Sequence, residues 1–352
     1  MRPNLGRLAP VAAAVVVLAL LPLVLPSFAI FDMTFVAAYA IAILGLVVLI
    51  GMNGQISLGH GAFLAIGGYT IAILSHAWGV PYWLCVPVAA VVTGAFGLLF
   101  GLVALRLAGV YLALATFALA VAMPSLLKHF KSVTGGFGGV TLNPVSAPAW
   151  FPFGAQLWLY YVAWVVAAVV FALTALIVRG RFGRALRALR DNPIAAVSFG
   201  INPYVYKTLA FGWSAVLAGV AGAFYALPAA YLSPDSFDVT LSITLLVGAV
   251  LGGIASFWGA LLGAVVIQFL PLAAQQINAG APSVVYGVVL ILVMIFVPDG
   301  LAGGLRRAFA RLRPPAAPAS PAPQSHPVTP RASRVFRAVR RSPGGLRATN
   351  RQ

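Results

Sequence analysis

The chain has 352 residues, of which 62% are hydrophobic and 8% charged. Soluble domains carry about 25% charged residues, so the composition excludes a soluble globular protein and indicates an integral membrane protein. The net charge of +17 is confined to two places: 11 basic residues and no acid from Arg306 onward, and six basic residues with one acid, Asp191, in Arg179–Lys207. Charge placed in this way marks one face of a membrane and excludes a nucleic-acid-binding surface.

Apolar runs of spanning length fall at roughly 9–30, 34–50, 58–77, 83–105, 109–127, 157–178, 208–230, 240–256, 258–277 and 283–298. About ten crossings that start with Arg2 and Arg7 in the cytoplasm place both the Arg179–Lys207 stretch and the basic C-terminal region there too. The expectation is an all-α polytopic protein, N-in and C-in, with only Lys128 and Lys131 against the charge bias. The chain has no glutamate, and its five aspartates, Asp32, Asp191, Asp235, Asp238 and Asp299, each sit at or beyond the end of an apolar run. Asp32, Asp235 and Asp238 are therefore expected outside. Ser27-Phe28-Ala29 also gives the first run a passable cleavage site, so a secretory signal is an alternative there.

The segment Gly51–Gly68 reads GMNGQISLGHGAFLAIGG and sets Asn53, Gln55, Ser57 and His60 among six glycines. Polar backbone at membrane depth is tolerated only where protein or a watery cavity satisfies it. Two readings stay open: a broken helix lining a translocation path, or a close helix contact in which glycines bring backbones together. Lys128–Ala155, with TGGFGG and three prolines, reads as a long outside loop, re-entrant in part.

Arg184, Arg187 and Arg190 recur at every third residue with Leu186 and Leu189 between them. That pattern predicts a short amphipathic helix at the interface. Asn192 can cap a second short helix with Pro193 in its first turn, and Ala195-Ala196 open a compact element that stops at Gly200. Gly248–Gly263 is the second glycine-interrupted region. Its spacings Gly248/Gly252 and Gly259/Gly263 fit helix packing, while Gly252 and Gly253 could also belong to a path, with 240–277 as two half-helices. Residues 313–352, rich in Pro, Ala, Ser and Arg, read as a disordered basic tail, solvated with no specific role or else adhering to anionic lipid. Residues 1–312 form the membrane domain.

The residues offer little to an enzyme. The histidines are His60, His76, His129 and His326, of which only His60 lies well inside an apolar run, and no His/Asp cluster has metal-ligand spacing. A single cysteine, Cys85, excludes an intrachain disulfide. No GxxxxGK[ST] phosphate loop is present, so the chain is not itself an NTPase of that type, and with no acid expected mid-span active transport needs an energy source on another subunit. A self-sufficient secondary carrier or facilitator, coupled through His60 or sodium, is the alternative, and a membrane scaffold without a path is a third.

Several linked motifs, in order, then carry a resemblance. GQISLGHGAFLAIGGY at Gly54–Tyr69, GRALRALRDNPIAAVSFGINPYVYKTLAF at Gly183–Phe211, AGVAGAFYALPAAYLSPDSF at Ala218–Phe237, LGGIASFWGALLGAVV at Leu251–Val266 and PDGLAGG at Pro298–Gly304 resemble the LivM-type permeases of the branched-chain amino acid ATP-binding-cassette importer family. The resemblance covers roughly 35–305. It implies a permease paired with a second, homologous permease, two ATPase subunits that use ATP, and an extracytoplasmic substrate-binding protein, with no cofactor on this chain. It also implies branched-chain amino acids, other amino acids, or small amides such as urea as substrate. Arg184, Arg187, Arg190, Asp191, Ala195, Ala196 and Gly200 match the family's coupling loop. The family's Glu-Ala-Ala-x-x-x-Gly pattern stands here as Ile194-Ala195-Ala196-x-x-x-Gly200, without the acid, and the family's acid after TGGFGG is missing as well.

Overall fold

The computed structural model describes residues 16–104, 107, 109–275, 285, 287–289, 291, 292, 295 and 300–312. The chain forms α1 (Ser27–Leu46), α2 (His60–Trp78), α3 (Tyr82–Ala104), α4 (Val110–His129), α5 (Ala155–Arg179), α6 (Arg181–Asp191), α7 (Pro193–Ser198), α8 (Pro203–Ala229), α9 (Val239–Gly252), α10 (Phe257–Gln275) and α11 (Gly300–Leu312). A wider π turn, Val47–Met52, extends α1, and a 3-10 turn, Pro234–Phe237, precedes α9. Eight helical segments among the described residues are long and apolar enough to cross a membrane: α1–α5, α8, α9 together with its 3-10 turn (Pro234–Gly252), and α10. The protein is a polytopic, all-helical membrane protein.

Eight of the expected apolar runs fall on these helices. The first, 9–30, lies partly outside the described residues, and its described part is not a single helix: a 3-10 turn at Leu21–Leu23 is followed by Pro26, and α1 begins at Ser27. Asp32 is therefore not in an outside connection. It lies in the second turn of α1, 4% exposed, and its Oδ1 accepts a hydrogen bond from Gln268 Nε2 of α10 at 3.0 Å. The carboxylate resembles a boundary in the sequence, but a polar partner on another helix allows it to be buried. The tenth run, 283–298, lies mostly outside the described residues, and the tail 313–352 lies wholly outside them.

α1 and α8 form the centre, and α8 packs on α1, α2 and α3. Lipid tails are as apolar as leucine, so helix association here depends on close backbone approach. The sequence supplies small residues where it happens. A side chain at Gly67 of α2 would overlap the Gly219 backbone of α8, and one at Gly222 would overlap the Leu64 carbonyl. α9 and α10 pack in the same way, Gly248 with Gly263 and Gly252 with Gly259, so both small-residue spacings are spent on one helix pair. α3 and α4 turn Trp83, Val91, Leu99, Val110, Leu114 and Val121 outward, as a lipid-facing surface requires.

At the end of the bundle where α8 finishes, the glycine-rich loop folds into a helical turn (Lys131–Thr134), a 3-10 turn (Gly136–Gly138) and β1 (Val140–Thr141). β1 pairs antiparallel with β2 (Tyr231–Leu232), Val140 opposite Leu232. Lys128, one of the two exceptions to the charge bias, is held by Asp235 at 2.6 Å and lies over the Phe137 ring.

Candidate functional site

The polar residues of Gly51–Gly68 occupy a real interruption. After the π turn the chain runs without helix from Asn53 to Gly59 and starts again as α2 at His60. Gly54 takes φ +71, a left-handed conformation that suits glycine. The first N–H groups of a helix have no partner within it. Here hydroxyls from three other helices accept from this stretch or bond to its first side chain. Leu58 N donates to Thr116 Oγ1 of α4 at 2.9 Å, Gly61 N donates to Ser242 Oγ of α9 at 2.9 Å, and His60 Nε2 lies 2.8 Å from Ser214 Oγ of α8.

Ser214 Oγ itself donates to the Gly45 carbonyl of α1 at 2.8 Å. A hydroxyl has one proton, so His60 Nε2 is the donor to Ser214 and the imidazole carries its proton there. His60 Nδ1 is then a bare acceptor, and it has no protein partner. Asn53 Nδ2 donates to Gln55 Oε1 at 2.6 Å, which leaves Asn53 Oδ1 as a second buried acceptor without one. Asn53, Gln55, Ser57 and His60 are all less than 9% exposed. The structure thus brings together four polar side chains, two of them with a buried acceptor that has no protein partner, in the connection between α1 and α2.

Gly252 and Gly253 are found close by. The α9–α10 connection passes the π turn of α1, and a side chain at Gly51 would overlap the Ile254 carbonyl. A side chain at Gly300, where α11 begins, would in turn lie 2.5 Å from Gly253 Cα. The lack of a side chain at Gly252 is already required by its contact with Gly259.

α6 and α7 lie at the end of the bundle where α8 begins. α6 buries Gly183, Ala185, Leu186 and Leu189 and turns Arg184, Arg187, Arg190 and Asp191 outward. Leu186 joins a cluster with Val48, Met52, Val178 and Ala210, so the helix is seated on the ends of α1, α5 and α8. Asn192 caps α7, its Oδ1 accepting from Ala195 N at 3.1 Å, with Pro193 in the first turn. Ala196 packs inward at 3% exposure, and Gly200 ends the element at φ +80. The outward side of this turn carries three large apolar side chains beside Asn192 and Ser198: Ile194 is 82% exposed, Val197 52% and Phe199 87%.

The charge and apolar patterns had not revealed Thr116, Ser214, Ser242, Asp32 or Gln268. Each is a lone polar residue within or at the edge of an apolar run. Such hydroxyls commonly bond their own helix, as Thr34 does to Ile30 O at 3.1 Å.

A polar connection between spanning helices, set in an all-helical polytopic bundle, fits a membrane permease. Residues 28–298 match the family described as branched-chain amino acid transport system, permease component, and the chain belongs to that family. It is 33% identical to the high-affinity branched-chain amino acid transport system permease protein LivM of Salmonella typhimurium and 32% identical to LivM of Escherichia coli, in both cases over 76% of this chain and 68% of the relative. It is also 29% identical to the permease protein LivH of Salmonella typhimurium, over 76% of this chain and 92% of the relative. No solved structure matches it.

Proposed function

We propose that this chain is the LivM-type half of an ATP-driven importer in a bacterial inner membrane, carrying branched-chain amino acids into the cell. Its partner is a second, homologous permease of the LivH kind. Two ATPase subunits dock on the cytoplasmic side, and an extracytoplasmic binding protein delivers substrate at the other end. Residues 1–312 are the permease domain, followed by the basic stretch 313–352. Both termini are cytoplasmic.

The single observation that carries this reading is the α7 turn. Ile194, Val197 and Phe199 are exposed on a helix whose cap, buried Ala196 and glycine stop fix its shape. Exposed apolar side chains on a rigid element facing water mark a contact surface. The Ile194-Ala195-Ala196 pattern lacks the family's acid, so docking rests on shape and apolar contact, with Arg184, Arg187 and Asp191 supplying polar contacts at the rim. ATP binds and is consumed on the partners, whose closure moves α6 and α7 and so changes access at the break.

The interrupted segment supports the translocation role. Asn53, Gln55, Ser57 and His60 line the path with Gly252 and Gly253. The unfilled acceptors Asn53 Oδ1 and His60 Nδ1 suit the ammonium group of an amino acid, which brings three N–H donors. The experiment is reconstitution in proteoliposomes with the four partners and labelled leucine, valine and urea. ATP-dependent leucine and valine uptake, lost without the ATPases, is the expected result. Urea-only uptake changes the substrate. Leucine uptake by this chain alone, without ATP, overturns the importer reading in favour of a self-sufficient carrier.

A further inference from the structure

Arg190 differs from the other arginines of its helix. Its Nη1 donates to the Gly51 carbonyl, in the π turn that ends α1. Its Cγ also packs 3.3 Å from where a Cβ would stand on Gly54. The carbonyls in the last turn of a helix lack partners within it, and a cation there is favoured by the helix dipole. At Gly51 the need is specific. An α-helix would offer its carbonyl the N–H of Gln55, but that N–H goes to Leu49 O at 3.1 Å, and the Gly54 N–H goes to Ile50 O at 3.0 Å. The helix has unwound at this point, and a guanidinium from a different helix takes the vacated place.

Three further contacts make this a junction. Gly51 abuts the Ile254 carbonyl in the α9–α10 connection. Leu186, one turn before Arg190, packs with Val48 and Met52 of the same π turn. Asp191 Oδ1 stands 3.8 Å from Arg190 Nε, on the solvent side. Arg190 thus joins the outward-facing segment to the last residues before the polar interruption, while the apolar face of α7 stays free for a partner.

We propose that Arg190 is a positioning residue that transmits motion of the coupling segment to the interrupted helix, and that it is not a docking group for an ATPase. This inference rests on the ATPase-coupled reading given above. When α6 moves, the charged bond to Gly51 pulls the end of α1, and with it the start of the Asn53–Gly59 segment. Without that bond, nucleotide-driven motion of α6 and α7 continues but reaches the break only through apolar contacts that slide.

The test compares Arg190→Ala, Arg190→Gln and Arg190→Lys with the unaltered protein in the full reconstituted complex. Three quantities are read: ATPase subunits co-purified, ATP hydrolysed with loaded binding protein, and leucine taken up per ATP. For Arg190→Ala we expect normal co-purification, hydrolysis within about twofold, and uptake per ATP lower by about tenfold or more, since charge-assisted bonds are the strong ones. Arg190→Lys keeps a cation and regains part of the ratio. Arg190→Gln keeps a neutral donor, guards against misfolding of the alanine variant, and is expected between the two. A second readout is thiol labelling of Asn53→Cys, aided by the burial of the only native cysteine, Cys85. Its reactivity should change with ATP in the parent chain and stay constant with Arg190→Ala. An unchanged uptake-per-ATP ratio in Arg190→Ala overturns the inference alone, and so does loss of the ATPase subunits from that variant, which would make Arg190 a docking residue. Failure of the unaltered protein to co-purify ATPases overturns the parent reading and the inference together.

Discussion

His60 Nε2 donates to Ser214 Oγ at 2.8 Å, and the Ser214 hydroxyl donates in turn to the Gly45 carbonyl, so one hydrogen-bonded chain ties α2, α8 and α1 at the point where α2 begins. Both side chains are buried. Ser214→Ala leaves a buried imidazole N–H without an acceptor, which costs about 1–3 kcal/mol. We expect a lower melting temperature in detergent with insertion intact. His60→Ala removes the donor together with the ring, so the chain should fold and its uptake should fall severalfold without vanishing. A folded His60→Ala protein with no uptake at all would mean that transport depends on the His60 Nδ1 acceptor itself, and not only in part on the ring's support of α2.

The glycines of the α2–α8 contact give a sharper result. Gly67 faces the Gly219 backbone and Gly222 faces Leu64 O, with no room for a Cβ at either position. Gly67→Leu or Gly222→Val must push two central helices apart. Overpacking costs about 1–3 kcal/mol and more where backbone opposes backbone. The expected outcome is loss of folded protein, measured as the monodisperse fraction in size-exclusion chromatography. Gly79→Ala on the same helix is the control: φ +61 strains it, but its surroundings are open, so most folded protein should survive.

What could be read in the sequence separates by range. α6 and α7 were legible because their signals are local: Asn192 before Pro193, alternating arginines and leucines, and glycine at 200. The interruption at Asn53–Gly59 was legible because four polar side chains among glycines stand out in an apolar run. Its partners were not legible, because Thr116, Ser214 and Ser242 lie 58 to 181 residues away from the atoms they bond and each is a single hydroxyl. Asp32 misled, since a charge in an apolar run resembles a boundary until Gln268 is seen to cover it. Nor does three-residue spacing tell which of the exposed arginines of α6 also bonds the end of α1. Only Arg190 reaches an unwound helix end.

The α7 face can be tested by polarity and by bulk. Phe199 is 87% exposed and Ile194 82%, and neither supports this chain's own core. Ile194→Asp and Phe199→Ala should leave expression and melting unchanged while reducing co-purified ATPase. Gly200→Trp should abolish both association and uptake while the chain still inserts, because nothing lies within 4 Å of a Cβ added at this exposed position. Gly200→Ala carries the same φ +80 strain without the bulk, so it separates the two effects. Full uptake with Gly200→Trp would remove this turn from the mechanism.

At the opposite end, Lys128 and Asp235 form a 2.6 Å ion pair, and the Asp235 side chain is 69% exposed. Pairs this open contribute about 0–1 kcal/mol. Asp235→Asn should therefore leave the melting temperature within a degree or two. The β1–β2 ladder and the Tyr231 hydroxyl, which donates to Gly138 O at 3.1 Å, hold the same loop independently. A drop in uptake without a drop in stability would show that the pair acts in substrate delivery, and an altered apparent affinity for loaded binding protein would locate that action.

Asp32 separates the importer from the self-sufficient carrier. Among the described residues it is the buried carboxylate within a spanning helix, and a proton-coupled carrier needs such a group to change charge. Its visible partner, Gln268 Nε2, donates to Oδ1, an atom that asparagine also provides. Asp32→Asn should therefore preserve the fold and ATP-driven uptake. Asp32→Ala removes the acceptor, leaves Gln268 without its bond, and should destabilise by about 1–3 kcal/mol. Uptake in proteoliposomes with an imposed proton gradient and no ATP is the check. Gradient-driven uptake by the parent chain that Asp32→Asn abolishes would assign the carboxylate a proton-carrying role and displace ATP as the energy source. Equal, ATP-dependent uptake by both proteins would confine Asp32 to holding α1 against α10.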